Sequence, residues 1–372
     1  MREGTRVVLV HDWLTGLRGG EKVLARFCRM FPDAPILTLV HVRGSVGPSV
    51  EDGRRIRSSI VQWLPSAARN YRHYLPLFPA AIEGFDLDDV DVVISTSTCA
   101  AKAVVPTGRA LHICYCNSPM RYAWDQFDAY FGVERVGTVA NAVLRPVLAA
   151  LARWDRDTAH RVHHFVANSR YIAGRIGRYY NRRASVLHPP VATDFFTPGD
   201  TPPGSYFLVV SALVPYKRID IAIGAARQLG ASLKVVGTGP DEARLRSTAG
   251  PTVQFLGGVD DSQLRDLYRG ARAIVLPAEE DFGIVPVEAM ACGRPTVAFN
   301  RGGATETIED GVTGALVAAQ DASAFAAAMD GIRDRTFNPR ALAARAAAFS
   351  ADRFDAGFRT ILADTLAASG PC

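Results

Sequence analysis

Two carboxylates with seven residues between them carry the most pointed chemistry in this sequence of 372 residues. They are Glu280 and Glu288, in the stretch Glu279-Glu280-Asp281-Phe282-Gly283-Ile284-Val285-Pro286-Val287-Glu288. The stretch follows an apolar strand candidate at 273–276 and opens a helix, because proline suits a first helical turn, where its missing amide would be unpaired anyway. The amides of Phe282, Gly283 and Ile284 then point outward at the positive end of that helix, a cradle for a phosphate or diphosphate. A carboxylate beside a phosphate is electrostatically wrong unless it addresses something else. Sugar hydroxyls answer, since a carboxylate accepts two hydroxyl hydrogen bonds, as the acidic residue of dinucleotide folds does with ribose. The plainer alternative is a helix-capping Glu288 and a solvated Glu280.

A second constellation, Ser211-Ala212-Leu213-Val214-Pro215-Tyr216-Lys217-Arg218-Ile219-Asp220, lies at a strand-to-helix turn. Two adjacent cations there could neutralise a departing diphosphate, although a charged surface loop at a helix start is an equal reading. The turn Val236-Gly237-Thr238-Gly239 is a weaker signal, because a lone G-x-G also serves any tight turn. Asp86/Asp88, Asp89/Asp91 and Asp155/Asp157 spell D-x-D, a metal motif elsewhere, but the first two pairs stand at a strand entry and read as turn residues. The six cysteines, Cys28, Cys99, Cys114, Cys116, Cys292 and Cys372, form no C-x-x-C pair and no Cys/His cluster. They read as small buried hydrophobes in a reducing compartment rather than as a disulfide framework or a zinc site.

Such residues must be held by regular elements, and the chain alternates strand and helix, the pattern of parallel α/β sheets. Early strands are read at 6–10, 36–40, 92–95, 111–114 and 164–167, the first followed by a loop at 16–20 and a helix at 21–30. Proline and glycine crowd 188–204, which reads as a hinge. Beyond it the alternation restarts, with strands at 206–211, 232–236, 253–256, 273–276 and 296–299 and helices at 219–228, 241–247, 261–269 and 286–292. Two doubly wound domains follow, with ligand expected beyond the carboxyl ends of their strands in the cleft between them.

The net charge of +5 conceals a split: residues 1–190 carry +9 and residues 191–372 carry −4. Halves of opposite sign suggest different partners. In the first half, Arg57, Arg69, Arg72 and His73 mix with Trp63, Tyr71, Tyr74 and Phe78, a composition that fits either docking to an anionic membrane surface or a helical insertion with aromatic core. No secretory signal opens the chain, and no apolar run approaches the ~20 residues of a spanning helix. Nucleic acid is a poor partner, since the basic half shows no binding motif.

Taken together, the Glu280/Glu288 pair, VPYKRID, VVGTGP, FLGG, CGRPTVAFNRGGATETI, HDWL…GGEKVL and YCNSPMRYAWD resemble the retaining GT4 glycosyltransferases. The resemblance covers nearly the whole chain and comes nearest to the bacterial mannosyltransferase-like subgroup of O-antigen and exopolysaccharide synthesis. It implies the GT-B fold, two Rossmann-like domains facing across a cleft: an acceptor domain at 1–188, a hinge at 189–204, a nucleotide-sugar domain at 205–348 and a C-terminal helix at 349–372 packing back on the first domain. It implies Glu280 at the donor sugar's hydroxyls, Glu288 at the ribose, and Phe282, Gly283, Ile284 and Lys217 at the diphosphate. Gly19 and Gly20 would approach that diphosphate from the first domain, and the base would lie near Gly237 and 255–258.

The chain departs from the family twice. Ala212 stands where an arginine is usual, with Arg218 as the available substitute, and Asn117 stands where the subgroup tends to have histidine. Asn117 can donate a hydrogen bond but cannot carry a proton at neutral pH. The implied activity is transfer of a hexose, mannose from GDP-mannose in the first instance, to a lipid-linked or polysaccharide acceptor. No metal or other cofactor is required, and the expected location is the cytoplasm or the inner face of the cell membrane. A nucleotide-sugar epimerase and a non-catalytic sugar-nucleotide-binding partner of a transferase remain the alternatives.

Overall fold

The computed structural model describes residues 4–125, 127, 132–200 and 202–368; Cys372 lies outside them. The chain divides into two units, 1–190 with 354–372, and 191–353.

In the first unit seven parallel strands, β1 (Val7–Leu14), β2 (Ile36–His41), β3 (Ile56–Ser58), β4 (Val92–Ser97), β5 (Leu111–Cys116), β6 (His164–Ala167) and β7 (Ala184–Val186), run in the order β3-β2-β1-β4-β5-β6-β7. In the second unit β8 (Phe207–Val210), β9 (Leu233–Val236), β10 (Val253–Gly257), β11 (Ala273–Leu276), β12 (Thr296–Phe299) and β13 (Gly314–Val317) run β10-β9-β8-β11-β12-β13. Both orders reverse direction once, between β1 and β4 and between β8 and β11. Such a reversal opens a crevice at the carboxyl ends of the two strands, because their crossover helices leave to opposite faces.

The apolar runs explain the burial. β4, β5, β11 and β12 are buried along their whole length, as strands covered on both faces must be. Phe27 of the helix Gly19–Met30 packs against Tyr115, Phe354 and Phe358 with ring centroids 4.5–6.1 Å apart. The helix Ala351–Ala368 thus supplies core to the first unit, and the Arg26 guanidinium forks onto Asp355 beside it. In the second unit Val191 and Phe196, from the stretch expected to be a hinge, are buried in a core cluster with Tyr268 and Phe282.

Three strands escaped the sequence reading. β3 and β7 have three residues each at sheet edges, and β13 is hidden in a glycine-rich run. β1 continues past Val10, where a polar pair seemed to end it, because His11 and Asp12 are buried with partners. Asp12 takes five donors: the amides of Thr98, Cys99, Ala100 and Ala101 and the Thr98 hydroxyl, at 2.5–3.0 Å. The carboxylate thereby fixes the turn after β4. The D-x-D pairs at the entry to β4 are likewise structural: Asp86 accepts from the Asp88 amide, and Asp89 and Asp91 hold Arg6. Five cysteines are buried thiols; burial pushes Cys28 up to about 11 and Cys292 up to about 12, so neither is a thiolate at neutral pH.

Asp155 anchors one side of the first unit from a fully buried position. Its carboxylate lies 3.0 Å from Lys102 Nζ and accepts from Trp124 Nε1 at 2.7 Å and from the Tyr180 hydroxyl at 2.8 Å. A buried ion pair adds little net stability, but removing one partner leaves a charge in low dielectric. Asp155→Ala should therefore destabilise the first unit by about 3–5 kcal/mol, and replacing Lys102 by Met in the same chain should restore much of the loss. All four tryptophans (Trp13, Trp63, Trp124, Trp154) belong to this unit, so tryptophan fluorescence during denaturation reads it alone.

Candidate functional site

The crevice between β8 and β11 brings together the two strongest motifs. After β8 the chain passes Ser211 and exposed Ala212, makes a short 3-10 turn at Pro215–Lys217, and starts the helix Ile219–Leu229. After β11 it runs through Glu279–Gly283 into the helix Ile284–Ala291. Lys217 Nζ lies 2.5 and 2.7 Å from the two carboxylate oxygens of Glu280, both side chains about 15% exposed. The solvated reading of Glu280 is thus excluded: its carboxylate is engaged and largely covered.

Close backbone approach makes this meeting possible. Glu280 forms an isolated parallel bridge with Gly302, and its carbonyl accepts from the Gly303 amide at 2.7 Å. A Cβ on Gly302 would stand 2.3 Å from that carbonyl, and the residue's φ of +69° already suits glycine. Gly237 does the same after β9: a Cβ there would lie 1.9 Å from the Ser211 carbonyl, so this glycine presses the β9 turn onto the strand exit that leads to Lys217.

Gly283, with φ +87°, is the N-cap of the helix Ile284–Ala291, which starts two residues earlier than the sequence suggested. Among the described residues the Gly283 and Ile284 amides donate no backbone hydrogen bond. They belong to the orphan donors that every helix start exposes. Phe282 is buried and turned into the core beside Phe349, so this residue contributes backbone rather than side chain. Glu288 is 4% exposed and accepts from the Tyr268 hydroxyl at 2.9 Å. Burial, and then the Glu288 charge, holds the Tyr268 phenol well above its usual range, so it stays a donor to that carboxylate. Tyr268 was not legible beforehand: it lies on a different helix, twenty positions away, and only the fold pairs it with Glu288.

Arg218 does not join the group. Its backbone is left-handed at φ +50°, and its guanidinium turns onto Asp220 at 3.1–3.3 Å, so it does not stand in for an arginine at position 212. The conformation at the helix start directs the side chain to the first-turn carboxylate instead.

In the first unit, Gly19 and Gly20 are not in a loop but in the first turn of the helix Gly19–Met30. The Glu21 carboxylate, accepting from the Arg18 amide at 3.0 Å, starts that helix ahead of the glycines. A Cβ on Gly20 would meet Asn117 Nδ2 at 3.5 Å and His11 Cε1 at 3.6 Å, so these three residues converge. Asn117 follows β5; its amide donates to the Ser97 carbonyl, its carbonyl accepts from Asn168, and its buried Nδ2 has no hydrogen-bond partner among the described residues. His11, overlooked in the sequence, is 4% exposed with Nδ1 2.5 Å from Thr96 Oγ1 and Nε2 3.5 Å from the Glu21 carboxylate.

Comparison with known proteins places these features in context. Residues 204–334 match the family model described as Glycosyl transferases group 1. D-inositol 3-phosphate glycosyltransferase 2 of Catenulispora acidiphila is 31% identical over 240 residues, 54% of this chain and 56% of that protein. The D-inositol 3-phosphate glycosyltransferase of Mycobacterium tuberculosis is 34% identical over 197 residues, 45% of this chain and 41% of its own. The chain spans about half the length of the curated relatives it matches. Among solved structures, Anabaena Alr3699/HepE in complex with UDP superposes with a TM-score of 0.73 at 17% identity, over 97% of this chain and 100% of that one. WaaG, a glycosyltransferase involved in lipopolysaccharide biosynthesis, gives 0.66 at 16% identity over 91% and 94%.

Gly302→Ala tests the site's construction. The added methyl must push the Glu280 backbone away, so Glu280 should lose Lys217 while far-UV circular dichroism stays unchanged. A crystal structure of the variant with the Lys217–Glu280 pair intact would refute this account. Residues 204–334 are thus similar to the glycosyl transferases group 1 family, and the two parallel sheets have the α/β fold of the GT-B glycosyltransferase structures.

Proposed function

We propose that the protein is a retaining glycosyltransferase that moves a hexose from a nucleotide-sugar to a saccharide or lipid-linked acceptor. The observation that carries this reading is the Lys217–Glu280 pair beside the unpaired Gly283 and Ile284 amides, at the crevice between β8 and β11. An arriving diphosphate accepts from those amides and draws Lys217 Nζ away from Glu280. The released Glu280 carboxylate then accepts hydrogen bonds from the hexose hydroxyls, and Glu288, oriented by Tyr268, accepts from the ribose. Gly237 and the turn at 255–258 flank the base. In the first unit, Asn117 Nδ2, with no hydrogen-bond partner among the described residues, has a hydrogen bond to give to a sugar hydroxyl.

In the transfer step the bond from the anomeric carbon to the diphosphate oxygen breaks, and the acceptor oxygen bonds to that carbon on the same face. The acceptor proton passes to the leaving phosphate. Lys217 and the helix amides hold the charge that develops on the departing nucleotide, and the protein's remaining contribution is orientation. Because this charge is met by an ammonium and by backbone dipoles, turnover should persist in EDTA. Abolition by EDTA with rescue by manganese would overturn the metal-free step.

Mannose from GDP-mannose stays the proposed donor on the strength of the family resemblance. The HepE structures, solved with UDP and with UDP-glucose, make uridine donors its direct competitors. Calorimetric titration with GDP-mannose, UDP-glucose and the free nucleotides separates them. Removing Lys217 (Lys217→Ala) should weaken nucleotide binding by about tenfold or more, the worth of a lost charge-assisted hydrogen bond. Glu280→Gln should tighten free-nucleotide binding, because Lys217 then leaves no uncompensated carboxylate behind, while lowering kcat. Binding without transfer to any acceptor would favour a non-catalytic partner instead.

We also propose that the first unit docks on an anionic membrane. No helix among the described residues is long and apolar enough to span one. The exposed set differs from the sequence expectation: Tyr71 and Phe78 are core residues packed on Trp13, whereas Trp63 is 85% and Ile60 67% exposed beside the exposed Arg57, Arg69 and Arg72. An apolar pair amid cations suits insertion at a headgroup boundary. Flotation with anionic but not neutral liposomes, lost in a Trp63→Ser/Ile60→Ser variant, is the expected result; equal flotation with both lipids would remove the proposal.

A further inference from the structure

The turn that carries Lys217 contains a backbone conformation that its residue types do not favour. Leu213 and Ile219 are both buried in the second unit's core, so the residues between them close a loop fixed at both ends. The amides of Lys217 and Arg218 donate to the Val214 and Pro215 carbonyls at 3.0 Å, which makes the 3-10 turn. Residue 218 then reverses hand, with φ +50° and ψ +39°, before the right-handed helix Ile219–Leu229 begins.

Left-handed backbone suits glycine and, after it, asparagine and aspartate, whose short side chains bond locally. Among the described residues three others adopt it, Ser66, Asn181 and Arg218. Asn181 ends the helix Arg170–Tyr180, a position where asparagine is common. An arginine ahead of a helix has no such preference, so a contact outside its own backbone must hold it.

That contact lies two residues on. Arg218 Nε donates to the two carboxylate oxygens of Asp220 at 3.2 and 3.3 Å, and Nη2 donates to one of them at 3.1 Å. Among the described residues Asp220 accepts from no helix amide, so it does not cap the helix to which it belongs. Ile219, Ile221 and Ile223 seat the first helical turns in the core. Asp220 therefore stands on a fixed element, and the fork reaches back from it to residue 218.

The hand of residue 218 decides where Lys217 goes. Moving φ from +50° to the usual right-handed value is a rotation of roughly 110° about one bond, and the turn would then run into the helix as a single spiral. Lys217 Nζ would leave its place 2.5–2.7 Å from the Glu280 carboxylate. We propose that Asp220 is a positioning residue of the donor site. By forking the Arg218 guanidinium it keeps residue 218 left-handed, and so aims the Lys217 ammonium into the crevice. Arg218 and Asp220 act through Lys217 and touch no ligand. The inference rests on the reading that Lys217 receives the diphosphate. The two side chains are 41% and 33% exposed, so solvent screens the pair and its effect is a bias of about fivefold, or about 1 kcal/mol.

Calorimetric titration with UDP and with GDP compares the wild type, Asp220→Ala, Arg218→Gly and the double variant. Asp220→Ala should bind the nucleotide about fivefold more weakly than the wild type. In the Arg218→Gly background the same replacement should change affinity by under about twofold, because glycine is left-handed without a tether. A carboxylate acting through the helix dipole or through helix stability would lose as much in both backgrounds, and that result overturns the proposal. A crystal structure of Asp220→Ala gives a readout independent of nucleotide. The expected density shows a right-handed conformer of residue 218 with Lys217 Nζ away from Glu280; a single left-handed conformer with the pair intact overturns the proposal. Asp220→Asn, which keeps the shape and loses the charge, serves in both measurements if the alanine variant does not fold. A wild type that binds neither nucleotide removes the donor reading of Lys217, and the crystal structure then decides the tether by itself.

Discussion

The contact between Gly302 and the Glu280 backbone is the constraint on which the second unit's chemistry depends. The loop after β12 lies directly on the segment after β11, close enough to form a bridge and a 2.7 Å hydrogen bond. That contact decides where the Glu280 carboxylate can go, and Lys217, arriving from β8 on the other side of the crevice, completes the arrangement. A side chain at position 302 would hold these backbones apart. The site is thus built from main-chain packing at the strand ends, with the charged groups mounted on it. Sites mounted on packed backbone keep their geometry better than sites assembled from mobile loops, which is why a transferase that works by orientation would use one.

The first unit applies the same logic with a different tool. Where the second unit uses glycine, the first uses buried carboxylates. Asp12 gathers the amides after β4, Glu21 caps its own helix and faces His11, and Asp155 ties Trp124, Tyr180 and Lys102 together. Trp124 ends the short helix Arg121–Trp124 that follows Asn117, so the Asp155 network also limits where that segment can lie. A fully paired polar network rigidifies at the risk of a large loss when one member fails. Paired carboxylates on buried turns are costly to desolvate, and their presence here marks segments that must hold one position.

Much of this was readable from the sequence, and the parts that were not share a cause. The apolar runs of β4, β5, β11 and β12 announce themselves, because a strand buried on both faces needs no alternation to be recognised. β3, β7 and β13 do not, because they are edge strands only partly buried, so no unbroken apolar run marks them. Glu280, Glu288 and Lys217 stood out by type and spacing, and the fold joins Lys217 to Glu280. Arg218 misled for a local reason: sequence adjacency says nothing about a left-handed turn that sends one cation into the crevice and its neighbour onto Asp220. Tyr268 and His11 were missed because an aromatic or a histidine in an apolar stretch looks like core, and only a partner from another element shows otherwise. Tyr71 and Phe78 failed in the opposite sense, since composition cannot tell which aromatics of a mixed helical segment face inward.

Ala212 gives the Lys217–Glu280 pair a further meaning. Position 212 is exposed and offers a methyl group where a second cation would stand, and Arg218 is committed to Asp220. Lys217 therefore holds Glu280 in the ligand-free protein and would be asked to hold a diphosphate as well. An ammonium can do both because it has three donors on one flexible stem, whereas a guanidinium forked onto a carboxylate would have to abandon a planar two-bond geometry. The exchange is also self-consistent electrostatically. On the proposed reading, a carboxylate left alone in a largely covered crevice would be costly until hydroxyl donors of a sugar replaced the ammonium. Diphosphate and hexose would then bind together or weakly, so a free nucleotide, which takes Lys217 without compensating Glu280, would be held less well than the whole donor.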